Sequence, residues 1–314
     1  MLLRGLRTVV ALVALSAVIV AGAQAGGSRS SSDGKISGSA TSASGQDVSP
    51  QMVISPNWSG YVATAPASKE KVAYGHPYFT SVTGTWTVPV AKCTAYKPKA
   101  SKQAYSTVWI GLGGWATRNQ EEVGTDSNCT AKGKPFYYAW FELVPYLSYK
   151  TFPNIKLKVE PGDTMTGLVQ IVSTRLVELK IVDVTRHWTF MKKINFTSQD
   201  STTADWIVEA PAECRDINCT EASLANFGAV TMRNISATAH GKAGNLKDPR
   251  WKVLPVKLVP SKLIVPTINP TATGAGPGGK KGQAASPAGA TPGAVSKDGT
   301  SFNLHWVKVA TNGL

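Results

Sequence analysis

The chain has 314 residues and a formal net charge of +14, from 33 lysines and arginines against 19 acidic residues. The basic residues are dispersed, with Lys192-Lys193 and Lys280-Lys281 as adjacent pairs and a looser group at Lys97, Lys99 and Lys102. That spacing gives a solvated basic surface and excludes a concentrated nucleic-acid footprint.

In chain order, Arg4 and Arg7 precede an uncharged apolar run from Thr8 to Gly22, and Ala23-Gln24-Ala25 follows. A charged start, a short apolar core and a small-x-small exit predict a secretory signal peptide over residues 1–25. The run is shorter than the ~20 residues of a spanning helix, and no later segment reads as a span. The mature protein is therefore expected to be secreted and extracellular, with no membrane attachment after signal removal. Residues 26–50 are rich in Ser, Gly and Ala and too poor in large apolar groups to bury a core, which predicts a flexible leader or short pro-segment. Order is expected from about Met52, in a single domain spanning 51–314.

Within that domain the hydrophobic period is two. Ile155, Leu157 and Val159 alternate with lysines, Val177, Leu179 and Ile181 alternate with Glu178 and Lys180, and Val256 and Leu258 flank Lys257. Turn signals at Gly113-Gly114, Pro161-Gly162-Asp163, Pro211 and Asp298-Gly299 punctuate these runs. Short alternating runs with frequent turns predict an all-β chain, an antiparallel two-sheet β-sandwich of the jelly-roll kind. A Gly/Pro/Ala-rich stretch at about 271–295 predicts a disordered surface insert. The alternation of Phe302, Leu304 and Trp306 beyond it predicts a final strand of the same domain.

Four cysteines in an exported chain predict two disulfides. Three pairings are possible, and the closeness of Cys214 to Cys219 favours Cys214–Cys219 with Cys93–Cys129. The scattered His76, His187, His240 and His305, with no Cys-x-x-Cys, argue against zinc. Asn57, Asn128, Asn195, Asn218 and Asn234 each head an Asn-x-Ser/Thr sequon. Nine tryptophans supply large apolar area, most of it expected in the core and some along a substrate groove.

The chain carries no Gly-x-Ser-x-Gly elbow and no His-Glu-x-x-His, which leaves carboxyl chemistry. Glu209 ends an apolar run, Ala204-Asp-Trp-Ile-Val-Glu209. Counting by two places Ile207 with Glu209 on one face and Trp206 with Val208 on the other. A carboxyl among such neighbours is desolvated, its pKa rises, and it becomes suited to acid–base work. Glu142 lies in a second apolar run, Tyr137–Val144, and Glu121 and Glu122 precede Val123-Gly-Thr-Asp126. By themselves these are candidates with no partnership among them.

Seven segments together resemble the glutamic peptidases, the eqolisin family of acid endopeptidases. They are Asn57-Trp-Ser-Gly-Tyr-Val62, Gly84-Thr-Trp-Thr-Val-Pro89, Trp109-Ile-Gly-Leu-Gly-Gly114, Val123-Gly-Thr-Asp126, Tyr138-Ala-Trp-Phe-Glu142 with Pro145, Pro161-Gly-Asp163, and Ala204–Pro211. A loop closed by Cys214 and Cys219 is compatible with the family. The resemblance implies a two-sheet sandwich with a cleft, polypeptide substrates, no metal or other cofactor, and a monomeric enzyme. It also implies a catalytic Glu and Gln. The Glu maps to Glu209, as general base toward water and then acid toward the leaving amine. The Gln, which positions the water and donates to the oxyanion, lies two residues before the glycine of the Gly-Thr-Asp segment. Here that position is Glu122; Gln120 is two residues further off, roughly 7 Å along a strand. Gly113 stands where many fungal members carry Asp.

The expected catalytic pair is therefore Glu209 and Glu122, with Trp109, Trp140, Glu142, Asp126 and Gln120 supporting the site or binding substrate. Since an ionised carboxylate cannot donate a hydrogen bond, Glu122 is expected to stay protonated and to share a proton with Glu209, confining activity to acid pH. The competing expectation is an inactive sandwich that binds peptide or glycan in the cleft.

Overall fold

The computed structural model describes residues 52–65, 78–93, 103–115, 117, 119–144, 147–151, 157–215, 218–260 and 288–309, with backbone alone at 147–151, 212–215 and 218–221. The expected signal peptide, the leader and the insert up to residue 287 lie outside the described residues.

The strands, in order, are β1 (Val53–Ser55), β2 (Trp58–Thr64), β3 (Phe79–Thr87), β4 (Ala104–Tyr105), β5 (Thr107–Gly113), β6 (Gln120–Cys129) and β7 (Pro135–Val144). Then come β8 (Leu147–Thr151), β9 (Thr164–Ser173), β10 (Leu176–Asp183), β11 (Trp188–Asn195), β12 (Thr203–Glu209), β13 (Ala212–Arg215) and β14 (Asn218–Glu221). The last are β15 (Ser223–Leu224), β16 (Ala229–Ala239), β17 (Lys242–Gly244), β18 (Lys252–Leu258), β19 (Ala288–Pro292) and β20 (Phe302–Lys308). Among the described residues no helix is long and apolar enough to cross a membrane.

The pairings form two layers. One runs β8–β7–β6–β5–β12–β2–β18–β1, antiparallel throughout except for the parallel β1–β18 pair. The other runs β11–β10–β9–β3–β16–β20–β19, all antiparallel, with β17 on the far half of β16. The layers join along one edge, where β18 meets β19 at Leu258 and Ala290. This is the expected two-sheet sandwich.

Burial follows from which faces are covered. In β10 the alternation is strict: Val177, Leu179 and Ile181 enter the core between the sheets, and Glu178 and Lys180 turn away from it. By contrast, β5, β6 and β12 are buried at every position. One face of these strands, with Val108, Ile110, Leu112, Val123, Trp206 and Val208, packs into the inter-sheet core. The other carries a second cluster of Trp58, Val62, Trp109, Trp140, Ile207 and Val256. Strands covered on both faces lose the polar half of their alternation, which is why β5 and β12 read as apolar runs, whereas β6 is buried on both faces with polar side chains at most positions.

Two expectations are corrected. Residues 157–160 form no strand. Val159 is buried there, but the Pro161-Gly162 turn ends the run, and the Asp163 carboxylate accepts the Glu160 N–H at 2.7 Å in place of a ladder bond. The insert predicted to reach residue 295 ends earlier, because Ala288–Pro292 is a ladder strand against β20. Its small residues are what the site demands. A Cβ at Gly289 would lie 2.6 Å from the Leu258 carbonyl oxygen, and the Tyr61 hydroxyl donates to the Gly293 carbonyl at 2.8 Å.

Cys93 and Cys129 are joined as expected, with Cα atoms 5.4 Å apart, tying the segment after β3 to the end of β6. Cys214 and Cys219 are direct cross-strand partners in the β13–β14 hairpin; their side chains lie outside the described set.

Candidate active site

The face of the first layer that turns away from the inter-sheet core carries nearly every acidic residue singled out from sequence. The register arranges them in rows. Trp58, Glu209, Thr107, Asp126 and Tyr138 form one row across β2, β12, β5, β6 and β7. Ile207, Trp109, Gly124 and Trp140 form the next. Asp205, Gly111, Glu122 and Glu142 form the third. Counting by two from Glu209 places Asp205 on this face as well, although the sequence reading did not draw it out.

Glu209 is 8% exposed. Its two oxygens accept from the Asn57 amide (Nδ2 to Oε1) and the Trp109 indole (Nε1 to Oε2), each at 2.9 Å. Burial pushes its pKa up to about 7, against the opposing pull of the Asn57 and Trp109 donors, with the negative Asp126 adding to the rise. The Trp58 indole lowers it too, although its Nε1 makes no well-formed hydrogen bond. Asn57 is placed by the turn before β2, where its side-chain oxygen accepts from the Ser55 hydroxyl at 3.2 Å and its carbonyl accepts the Ala210 N–H at 2.9 Å. Sequence reading gave Asn57 only a motif place and a sequon. Its 1% exposure closes that sequon to a glycan in the folded chain.

Glu122 lies two strands across and four residues along from Glu209, about 17 Å between backbones by sheet spacing. Its carboxyl is raised well above the ordinary range, first by burial, then by the charges of Glu142, Glu209 and Asp205. Glu209 is thus an electrostatic neighbour, whereas Glu142 is the direct cross-strand partner of Glu122. The carboxyl placed directly beside Glu122 is therefore Glu142, where Glu209 was expected.

Glycines make room for this arrangement. A Cβ on Gly124 would come within 2.7 Å of both Trp109 Cβ and Trp140 Cζ2, so only glycine lets the two indoles lie over β6. A Cβ on Gly111 would sit 3.1 Å from Glu122 Cβ; its absence keeps the space between Asp205 and Glu122 open.

Asp126 accepts from the Asn128 amide at 2.6 Å, and Asn128 in turn accepts the Ser106 N–H at 2.9 Å. Trp140 is buried over Gly124. Gln120 shares the face of Glu122 at the end of β6, fully buried beside Gly114 and Trp58, and neither of its amide atoms has a protein partner.

A second acidic group flanks the site. Glu121, raised well above its usual range by burial, accepts the Asp200 N–H at 3.0 Å. Asp205, raised likewise by burial, accepts from the Thr203 hydroxyl at 2.9 Å. The Asp200 side chain fills the space a side chain at Gly113 would take, 2.4 Å from an ideal Cβ there. The carboxyl absent from strand position 113 is thus met by one arriving from the segment before β12. Asp200 carried no signal in the sequence, since it lies in a polar loop.

Residues 56–255 match the Peptidase A4 family. Among solved structures, the chain is similar to a Scytalido-glutamic peptidase with a peptide-based transition-state analogue, at 21% identity and TM-score 0.56, covering 80% of this chain and 98% of that one. It is also similar to SCP-B, a member of the eqolisin family of peptidases in complex with the tripeptide Ala-Ile-His, at 20% identity and TM-score 0.53, with the same coverage. These likenesses establish the shared fold. A search of curated protein sequences returns no match.

Proposed function

Because this chain belongs to the peptidase A4 family, we propose that it is a secreted glutamic-type endopeptidase in which Glu209 activates water and Glu122 holds the oxyanion. The observation that carries this reading is the setting of Glu209: a nearly buried carboxylate held by Asn57 and Trp109 and facing a row of protonatable carboxyls.

The ionised Glu209 takes a proton from water as its oxygen attacks the scissile carbonyl carbon. The carbonyl oxygen becomes an oxyanion and accepts a hydrogen bond from the protonated Glu122. Glu209 then passes its proton to the amide nitrogen, the C–N bond breaks, and an acid and an amine leave. The two carboxyls must hold opposite states. Donors around Glu209 favour its ionised form, whereas Glu122 has acidic neighbours that favour its neutral form. The site's first proton is therefore lost from Glu209. With that pKa raised to about 7, ionised Glu209 is the minority form in acid, and turnover there runs through it. Extended polypeptide is the expected substrate, as in the peptide complexes of the structural neighbours. Export follows from the amino-terminal pattern of residues 1–25.

The test is Glu209→Gln in the processed protein. Turnover of an unfolded protein substrate should fall by about 10²–10⁴-fold with the fold intact by circular dichroism; full activity in this variant sinks Glu209 as the base. The second reading, a peptide-binding sandwich without activity, draws on the carboxyl at position 122. It is favoured if the wild type binds but does not cleave such a substrate at any pH from 2 to 8.

A further inference from the structure

The pairing of Glu122 with Glu142 goes beyond the assignment of a base and a donor. The two residues stand directly opposite in the β6–β7 ladder, on the same face, at 3% and 2% exposure. Such neighbours have Cβ atoms about 5 Å apart, which brings their carboxyls within hydrogen-bonding reach of each other. Two buried carboxylates so close repel and have no donor between them, which favours keeping at least one proton in the pair. No cation offsets it: among the described residues, every charged side chain in the buried set is an aspartate or glutamate. Among the described residues, the charged groups facing Glu122 from other elements are all acidic: Glu142 on β7 and Asp205 and Glu209 on β12, with side-chain-free Gly111 on β5. On β6 itself, Glu121 is engaged with the Asp200 backbone and Asp126 with Asn128. One oxygen of Glu122, Oε2, is buried with no protein partner.

We propose that Glu142 is a positioning residue that makes Glu122 a hydrogen-bond donor, so that the oxyanion is held by a doubly protonated pair. This rests on the proposed role of Glu122. The Glu142 hydroxyl donates to one oxygen of Glu122. The Glu122 proton is then placed on Oε2, the oxygen left for the substrate. When the pair loses one proton, the other is drawn between the two carboxyls and Oε2 ceases to donate. No covalent bond changes within the pair. Its first ionisation, rather than the titration of Glu122 alone, sets the alkaline limb of the reaction. Burial of the pair and the like charges of Glu209 and Asp205 push that limb upward.

The experiment combines pH–rate profiles with a readout that needs no turnover. In Glu142→Gln the amide still donates to Glu122, but position 142 can no longer ionise. The alkaline limb of kcat/KM should move up by about one pH unit, because an amide stabilises the ionised Glu122 less than a shared carboxyl proton does; one unit above the wild-type limb that is about a fivefold gain. Glu122→Gln should also move it, and in that background Glu142→Gln should add nothing, since the two act as one unit. A limb that stays in place in Glu142→Gln while Glu122→Gln shifts it overturns the proposal, as do additive shifts. The second readout is infrared detection of protonated carboxyls in Glu209→Gln protein. The pair should keep its protons above the ordinary glutamate range, and Glu142→Gln should remove one protonated-acid signal and raise the titration of the other. Independent titration of the two positions in the ordinary range refutes the pair. If instead the infrared result holds but Glu122→Gln leaves the rate profile untouched, the pair stands, and its role in oxyanion binding, with the proposed role of Glu122, fails.

Discussion

Replacing Asn57 by leucine removes one of the two well-formed hydrogen bonds to Glu209 while keeping the number and branching of the side-chain heavy atoms. The amide donates to Oε1 at 2.9 Å in a buried setting, and a hydrogen bond to a charged group contributes about 1.5–3 kcal/mol. The bond favours the ionised form, so its loss raises the Glu209 pKa further above its present value of about 7. At 1.36 kcal/mol per unit the rise is about 1–2 pH units. The acid limb of kcat/KM, followed with a quenched peptide substrate, should shift upward by that amount. At any pH below the wild-type limb the rate should fall about 10–100-fold. The alkaline limb belongs to other groups and should stay in place. The variant also loses the contact with the Ser55 hydroxyl, so its Tm is measured at a pH where Glu209 is protonated. A folded Asn57→Leu enzyme with an unmoved acid limb would refute the assignment of that limb to Glu209.

Stability should fall with rising pH. Glu121, Glu122, Asp205 and Glu209 all have folded-state pKa values above those of free carboxyls. The folded state therefore binds more protons than the unfolded one. The stability is complete below the unfolded pKa values, near pH 4, and is lost as pH rises through the folded ones. Urea unfolding at pH 4, 6 and 8 should show a decreasing free energy, and a flat or rising series contradicts the protonated cluster. Gly124→Ala places a methyl 2.7 Å from both Trp109 and Trp140. A cost of about 1–3 kcal/mol is expected, with a shift in tryptophan emission and reduced turnover as the Trp109 indole leaves Glu209. Cys129→Ser opens a loop of sequence separation 36; chain entropy alone gives a loss of about 4 kcal/mol, read as a lower Tm than that of the oxidised wild type.

Much of the site was legible because strand periodicity is local. Two-residue spacing put Ile207 with Glu209 and separated both from Trp206 and Val208, and the two apolar clusters divide them in this way. The same count reaches Asp205, which lies on the Glu209 face. The order of short motifs pointed to Glu209, Glu122, Trp109 and Glu142, and all four lie on one face of one layer. The Gly/Ala stretch misled at its end because composition reports what a segment lacks in bulk. It does not report the tight place between Leu258 and β20 that only such residues fill.

The sequence by itself determined the all-strand architecture and which residues share the Glu209 face along β12, because these depend on spacing within one segment. Tertiary structure alone decided the partners. Asn57 reaches Glu209 across 152 positions of chain, Asp200 arrives beside Gly113 from a loop, and the β6–β7 register sets Glu142 against Glu122. Those pairings depend on which strands meet and in what register, and on burial that makes a shared proton cheaper than a second charge. That physical difference sets Glu209 against Asn57 and Trp109, and Glu122 against Glu142, where a Glu122–Glu209 pair was expected.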